Sequence, residues 1–184
     1  MAYLSYTNVG IAGIAACVPK NKIDNYNYTQ YFPKDIVEKV VDKIGIKERR
    51  FAGDDICASD LCYAAAEKLI ADMQIDKSTI DVLIFISQTP DYRMPATSFL
   101  LQERLGLPKT TMVFDISLGC SAFLYGLSLG YSLLQQPNIN RVLLLDGETR
   151  SKVYSPKDRK TAFLFGDAGA AALLEKGEKY GNSY

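Results

Sequence analysis

The sequence contains no histidine among its 184 residues, and this absence limits the chemistry open to the chain. A cysteine or serine nucleophile usually relies on a histidine base, which no residue here can supply. Four cysteines are present, at positions 17, 57, 62 and 120, without a CxxC pair or the dense spacing of a disulfide framework. We therefore expect no metal site, and either an incomplete enzyme or a chemistry that avoids histidine.

A charge excess of one sign and long apolar runs are absent too. Lys and Arg together number 21, as do Asp and Glu, so no net field favours binding to nucleic acid. The apolar stretch 122–134 is interrupted by Ser, Gly and Tyr, and is shorter than the ~18 residues that a membrane span needs. The first ten residues, MAYLSYTNVG, lack the pattern of a signal peptide. These absences predict a cytoplasmic protein that binds neither nucleic acid nor a membrane.

Apolar residues make up 48% of the sequence, enough to bury the core of one domain spanning residues 1–184. Hydrophobic periodicity predicts alternating strands and helices, which is typical of a layered α/β architecture. The uninterrupted apolar run IDVLIFI indicates a strand covered on both faces, as in a parallel sheet. The strands are predicted at residues 9–18, 80–86, 111–116, 141–146 and 169–174, and the helices at 33–44, 59–73, 120–136 and in a segment ending at Gly106. Ser59 is the expected N-cap of the second helix, and Gly45 the expected end of the first.

Cys120 lies four residues beyond a predicted strand, in the first turn of the predicted helix 120–136. The unpaired backbone N–H groups at a helix start would stabilise a thiolate, the form in which cysteine acts as a nucleophile. A cysteine among apolar residues is also commonly a small buried hydrophobe. Position alone leaves both interpretations open.

The helix that follows Cys120 is apolar nearly all round, which predicts that it is enclosed between layers. Gly126 and Gly130 lie four residues apart on one side of this helix. That spacing allows the close approach of another helix, although two glycines could also be incidental. We expect such a partner helix to lie outside this chain.

Four ordered segments around Cys120 carry a family resemblance. GIKERRFA at 45–52, TPDYRMP at 89–95, DISLGCSAFLYGL at 115–127 and DRKTAFLFGDAGAAALL at 158–174 resemble the amino-terminal half of β-ketoacyl-(acyl carrier protein) synthase III. The resemblance spans essentially the whole chain. It implies a thiolase-like half with a five-stranded mixed sheet covered by helices on both faces, and the carboxy-terminal half absent.

The resemblance also implies a reaction in fatty acid biosynthesis that uses no cofactor. Cys120 would accept an acyl group from acyl-CoA as a thioester, and condensation with malonyl-(acyl carrier protein) would follow. In the family, a His and an Asn of the second half complete the site. One oxyanion donor would be the Cys120 N–H and the other a Gly N–H of that missing half. The isolated chain is therefore expected to be inactive in condensation.

Three further positions match residues that bind substrate in the family. Arg159 and Lys43 match basic residues that contact the CoA nucleotide, although each could be a solvated surface charge. Met94 matches a residue that shapes the acyl pocket and in some members reaches across the dimer interface. The strand 111–116 resembles the segment that pairs across that dimer, so a homodimer is expected.

The sequence also departs from the family pattern. Lys39 stands where many members have a Trp that stacks on adenine, so an acyl carrier protein or another thioester could replace CoA as the donor. Ala168 replaces a usual Gly. Two alternatives therefore accompany the condensing enzyme: a thiolase-fold acyltransferase that does not condense, and a non-catalytic subunit that pairs with a second polypeptide.

Overall fold

The centre of the molecule is a five-stranded sheet, seen in a computed structural model that describes residues 3–183. The strands of the described chain are β1 (Tyr6–Thr7), β2 (Val9–Cys17), β3 (Lys22–Asp24), β4 (Glu48–Arg50), β5 (Val82–Ile86), β6 (Met112–Ile116), β7 (Arg141–Thr149), β8 (Asp167–Lys176) and β9 (Asn182–Ser183). The central sheet has the order β2-β8-β7-β5-β6. β5 pairs in parallel with β6 and β7, whereas β8 runs antiparallel to β7 and β2. The predicted five-stranded mixed sheet is confirmed.

Helices cover both faces of this sheet. They are α1 (Lys34–Ile44), α2 (Ala58–Asp72), α3 (Thr97–Leu105) and α4 (Ala122–Leu134). α1 ends at Gly45 with φ 75°, as predicted, because glycine adopts this left-handed conformation without steric cost. No helix within residues 3–183 combines the length and the apolar character needed to cross a bilayer.

The start of α2 differs from the prediction. Cys57 is the N-cap, and its backbone N–H donates to the Asp60 carboxylate at 2.7 Å. Ser59, the expected cap, lies within the first turn, and its N–H and hydroxyl both donate to Asp91. The prediction of Ser59 as the cap is therefore wrong, because the Asp three residues after Cys57 supplies the capping acceptor instead.

Alternating side chains along β5 and β7 build two cores, one on each face. Leu83, Phe85 and Leu143 pack with α2 and α3, whereas Ile86 and Leu144 pack with α4. Every residue of β5 is buried, which confirms a strand covered on both faces within the IDVLIFI run, although the strand begins at Val82 and not at Ile80. The sheet therefore separates a face built on α2 and α3 from a face that carries the helix after Cys120.

Gly126 and Gly130 bring α4 close to the sheet. A Cβ at Gly126 would lie 2.6 Å from Ile86 Cδ1, and a Cβ at Gly130 would lie 2.5 Å from Leu174 Cδ1. The close approach expected of another helix is thus made by the sheet, and that part of the prediction is wrong. The opposite face of α4 exposes 67% of Leu124, so within the described residues this helix is enclosed on one side only.

Candidate active site around Cys120

Cys120 lies in the exposed connection between β6 and α4. A backbone hydrogen bond of 2.8 Å from the Ala122 N–H to the Gly119 carbonyl closes a turn around it. Because α4 sits on β5 and β7, this turn lies above the carboxyl ends of those parallel strands. Ligand sites of open α/β sheets commonly form at that edge, so the structure places Cys120 where a substrate can reach it.

The helix itself begins two residues later than the sequence predicts. Ser121 is the N-cap and Ala122 the first helical residue, so Cys120 precedes the helix instead of lying in its first turn. The turn closed by Gly119 delays the helical conformation, and Ser121 makes no side-chain cap. The Cys120 backbone N–H makes no hydrogen bond within residues 3–183. An unpaired donor therefore lies on the cysteine itself, next to an uncapped helix start.

The loop after β5 is held next to this turn by Glu148 of β7. The Glu148 carboxylate accepts hydrogen bonds from the Gln88 N–H at 2.8 Å and from the Thr89 hydroxyl at 2.7 Å. A Cβ at Gly119 would lie 3.3 Å from the Gln88 side-chain nitrogen, so Gln88 directly adjoins the cysteine loop. Glu148 therefore fixes the position of one wall of the site.

Asp146, also on β7, is a half-buried carboxyl that no sequence motif marks as part of the site. Burial, and to a lesser extent the Glu148 charge, raise the pKa of Asp146 to about 6. It follows four apolar residues on the same strand and pairs with Ile86, on the α4 face of the sheet. The signal in the sequence was an Asp directly after a buried apolar run, one position beyond a residue that faces α2, so that its side chain faces α4.

Met94 is 89% exposed, in the loop that leads from β5 to α3. The peptide bond between Met94 and Pro95 is cis. The end of this loop is fixed by Asp115 of β6, whose carboxylate accepts the Thr97 and Ser98 N–H groups at 2.8 and 2.9 Å. Asp115 thus caps α3 from a neighbouring strand and leaves the Met94 side chain projecting from the surface.

The side chains of Lys43 and Arg159 are both exposed. Lys43 is in the last turn of α1, and Arg159 is in the loop after β7. Neither makes an ion pair or a side-chain hydrogen bond within residues 3–183. The turn that carries Arg159 is held by Asp158, whose pKa is lowered by hydrogen bonds from the Thr161 hydroxyl and the Lys160 N–H.

A cleft of about 250 Å³ opens beside the Arg159 loop, lined by residues such as Tyr31, Tyr154 and Arg150. Arg49 also lines it, donating to Asn25 Oδ1 at 2.7 Å and to the Phe165 carbonyl at 3.0 Å. Its remaining nitrogen, Nη2, has no partner among the described residues. The sequence pattern around Arg49 does not reveal that its guanidinium is buried.

The described part of the chain offers no metal centre. Within residues 3–183, no three His, Cys, Asp or Glu side chains gather closely enough to bind a metal ion.

Solved structures of known proteins match this arrangement. The crystal structure of a 3-oxoacyl-(acyl-carrier protein) synthase from Burkholderia xenovorans matches with a TM-score of 0.92 and 45% identity, over 95% of this chain and 50% of that one. A β-ketoacyl-(acyl carrier protein) synthase III from Thermus thermophilus matches with a TM-score of 0.83 and 35% identity, over 91% of this chain and 51% of that one. The fold, with a cysteine turn above the sheet, is that of the thiolase-like condensing enzymes.

Sequence comparison indicates which type of condensing enzyme the chain resembles. The sequence model described as 3-oxoacyl-(acyl-carrier-protein) synthase III matches residues 114–184, which include Cys120. A β-ketoacyl-(acyl-carrier-protein) synthase III of Desulfitobacterium hafniense is 37% identical over 175 residues, 95% of this chain and 52% of the relative. The chain is therefore similar, in sequence and in fold, to half of a 3-oxoacyl-(acyl-carrier-protein) synthase III. It spans about half the length of the curated relatives it matches.

Proposed function

We propose that this chain is the acyl-accepting half of a condensing enzyme of the β-ketoacyl-(acyl carrier protein) synthase III type. The observation that carries the proposal is the exposed Cys120 in the turn between β6 and α4, within the segment that matches the family. Residues 1–184 would form a single domain that corresponds to the amino-terminal half of a thiolase-like enzyme. The reaction belongs to fatty acid biosynthesis and takes place in the cytoplasm.

In this mechanism Cys120 attacks the carbonyl carbon of an acyl thioester. The free Cys120 N–H donates to the oxyanion that forms, and preorganised donors of this kind lower the barrier most where water is excluded. The thiol of the donor leaves, and the acyl group stays on Cys120 as a thioester. Decarboxylation of malonyl-(acyl carrier protein) then generates the carbanion that takes the acyl group. In the family, the His and Asn of the second half stabilise this carbanion. No cofactor takes part.

Lys43 and Arg159 are proposed to bind the anionic part of the acyl donor. Their side chains are exposed and free of internal ion pairs, so their charges are available to phosphate groups. Lys39, in place of the usual Trp, pairs with Asp35 at 3.7 Å and offers no ring for an adenine. The donor is therefore acyl-CoA held by its phosphates, or an acyl carrier protein whose phosphopantetheine is held in the same way.

The first test is acylation of Cys120. Incubation with acyl-CoA should add one acyl mass to the protein, and Cys120→Ala should abolish this addition, because the alanine offers no nucleophile. The Cys57→Ala variant is the matched control, since Cys57 is a partly exposed cysteine at the start of α2, and it should be acylated normally. Peptide mass spectrometry reads out both. Equal acylation of the wild type and Cys120→Ala would contradict this choice of nucleophile.

We also propose that the protein forms a homodimer through β6 and the Met94 loop, where Met94 contributes to the acyl pocket. β6 is an edge strand of the central sheet, and its first residue, Met112, is 49% exposed. Unpaired edges and exposed apolar side chains favour association.

Light scattering should therefore give a mass near twice 20.4 kDa. Met112→Lys should lower the dimer fraction by placing a charge on the paired edge, whereas Val153→Lys, on an exposed loop after β7, should not. A monomeric mass for the wild type at high concentration would contradict the dimer.

A further inference from the structure

Asp146 lies in the layer between the central sheet and the start of α4. The helix runs antiparallel to β7, because Gly130 lies over Val142 and Gly126 lies over Leu144. Leu144 and Asp146 are ~7 Å apart along the strand, and Gly126 and Ala122 are ~6 Å apart along the helix in the same direction. The Asp146 side chain, which shares the face of Leu144, therefore lies at the level of Ala122, two residues from Cys120.

The surroundings of this carboxyl are almost entirely apolar. Ile86 lies beside it on β5, and Ala170 lies opposite it on β8. No hydrogen bond from residues 3–183 reaches its carboxylate. The sheet and α4 thus hold a carboxyl group beneath the cysteine turn with no structural partner to explain it.

We propose that Asp146 is the proton acceptor for the Cys120 thiol during acylation. This inference rests on the proposed function and names a residue that the family resemblance does not assign. In the acylation step the Cys120 S–H bond breaks, the proton passes to an Asp146 carboxylate oxygen, and the sulfur electron pair forms the bond to the thioester carbonyl carbon. Collapse of the tetrahedral intermediate breaks the carbon–sulfur bond of the donor. The departing thiolate then takes the proton back from Asp146, so the carboxylate is restored and a free thiol is released.

The charges around Asp146 suit this role. Glu148, two residues along the same strand, disfavours the ionised form of Asp146, and Arg150 lies 3.6 Å from Glu148 and partly offsets that charge. β5 and the first turn of α4 present no charged side chain to Asp146, Ala170 faces it from β8, and Cys62 is a titratable neighbour across the sheet. With its pKa raised to about 6, Asp146 is ionised at pH 7.5, yet it is a stronger base than an exposed aspartate. Acylation that depends on this base should therefore decline as the pH falls through about 6.

The test compares Asp146→Asn with the wild-type chain across pH 5 to 8. The variant should acylate about 100-fold more slowly at pH 7.5, the lower end of what a positioned base contributes, and should lose the inflection near pH 6. Asp146→Glu keeps a carboxylate and should retain part of the rate together with a pH inflection. The matched control is Asp81→Asn, which alters a carboxylate at the amino end of β5, the end away from Cys120, and should keep the wild-type profile. Circular dichroism establishes that each variant is folded.

A second readout separates this inference from the proposed function. Alkylation of Cys120 by iodoacetamide also consumes the thiolate but needs no acyl donor. Its rate should fall in Asp146→Asn by the same factor as the acylation rate. If the wild type alkylates with the Asp146-dependent profile but does not acylate, the proposed function fails and the inference stands. If Asp146→Asn matches the wild type in both reactions, the inference is overturned while Cys120 remains the nucleophile.

Discussion

Mixed with acyl-CoA and malonyl-(acyl carrier protein), the 184-residue chain should accumulate an acyl group on Cys120 and release no detectable ketoacyl product. Acylation needs a nucleophile, a proton acceptor and an oxyanion donor. In the proposed mechanism these groups are Cys120, Asp146 and the free Cys120 N–H, all within the chain. Condensation needs more, because a carbanion must be generated from the malonyl thioester and stabilised.

The size of the expected loss follows from the groups the chain lacks. The sequence has no histidine at all, so the acid or base that the family's site draws from its second half has no substitute. Loss of a positioned acid or base costs ~10²–10⁴ in rate, and loss of one oxyanion donor costs a further ~10²–10³. Together these factors place condensation by the chain alone below the background of ordinary assays.

The control for this experiment is the Cys120→Ala chain, which should give neither acyl-enzyme nor product. Protein mass and product are followed in the same reaction, so that acylation and condensation are scored separately. Robust ketoacyl product from the wild-type chain would contradict the proposal that half of the machinery lies outside these 184 residues. Transfer of the acyl group to an alcohol or amine without decarboxylation would favour the non-condensing acyltransferase instead.

Replacing Gly169 by alanine should lower the free energy of unfolding by about 3 kcal/mol, near the upper end for overpacked cores. Gly169 lies on β8 directly under α2, and a Cβ there would lie 2.5 Å from both the Leu61 carbonyl carbon and the Cys62 nitrogen. Both are backbone atoms of a helix, so no side-chain rotation relieves the clash, and α2 must shift away from the sheet. The loosened contact involves much of the buried face that α2 shares with β8.

Gly177→Ala is the matched control for this change. Its added Cβ would meet nothing closer than a Tyr180 ring carbon at 3.6 Å, an ordinary contact, so its effect should stay within ~0.5 kcal/mol. Urea denaturation followed by circular dichroism measures both variants. Equal stability of the two would show that α2 moves at no cost, and would contradict the close packing described here. Ala168, the neighbour that replaces a usual Gly of the family, is exposed and therefore fits where an alanine at 169 does not.

Most of the fold could be predicted from local pattern. The run IDVLIFI identified a strand covered on both faces, and Gly45 identified the end of α1, because each depends on a few adjacent residues. The helix starts were harder to predict, since the acceptor for the first helical N–H groups can come from a distant part of the chain. Asp115 caps α3 from a neighbouring strand, and the Gly119 turn delays the start of α4 until after Cys120.

The candidate site was accessible to sequence reasoning only in part. Cys120 could be predicted as the nucleophile because it lies at a predicted strand-to-helix junction and also within a segment that resembles the family. Asp146 could not, because its role depends on strand register, which sets the face of the sheet on which it lies. The partners of Glu148 come from a loop about 60 residues earlier, and no periodicity reveals such a contact.

The two glycines of α4 set the distance of the Cys120 sulfur from the sheet, independently of which residues surround it. Because Gly126 rests against Ile86 and Leu144, the gap between helix and sheet is set at the middle of the helix, away from Cys120. A side chain at position 126 would press on the buried Ile86 and Leu144, move the amino-terminal end of α4 away from the sheet and carry the cysteine away from Asp146, while the identity of every site residue stays the same. Natural or engineered variation at this position therefore offers a way to tune the nucleophile from a distance.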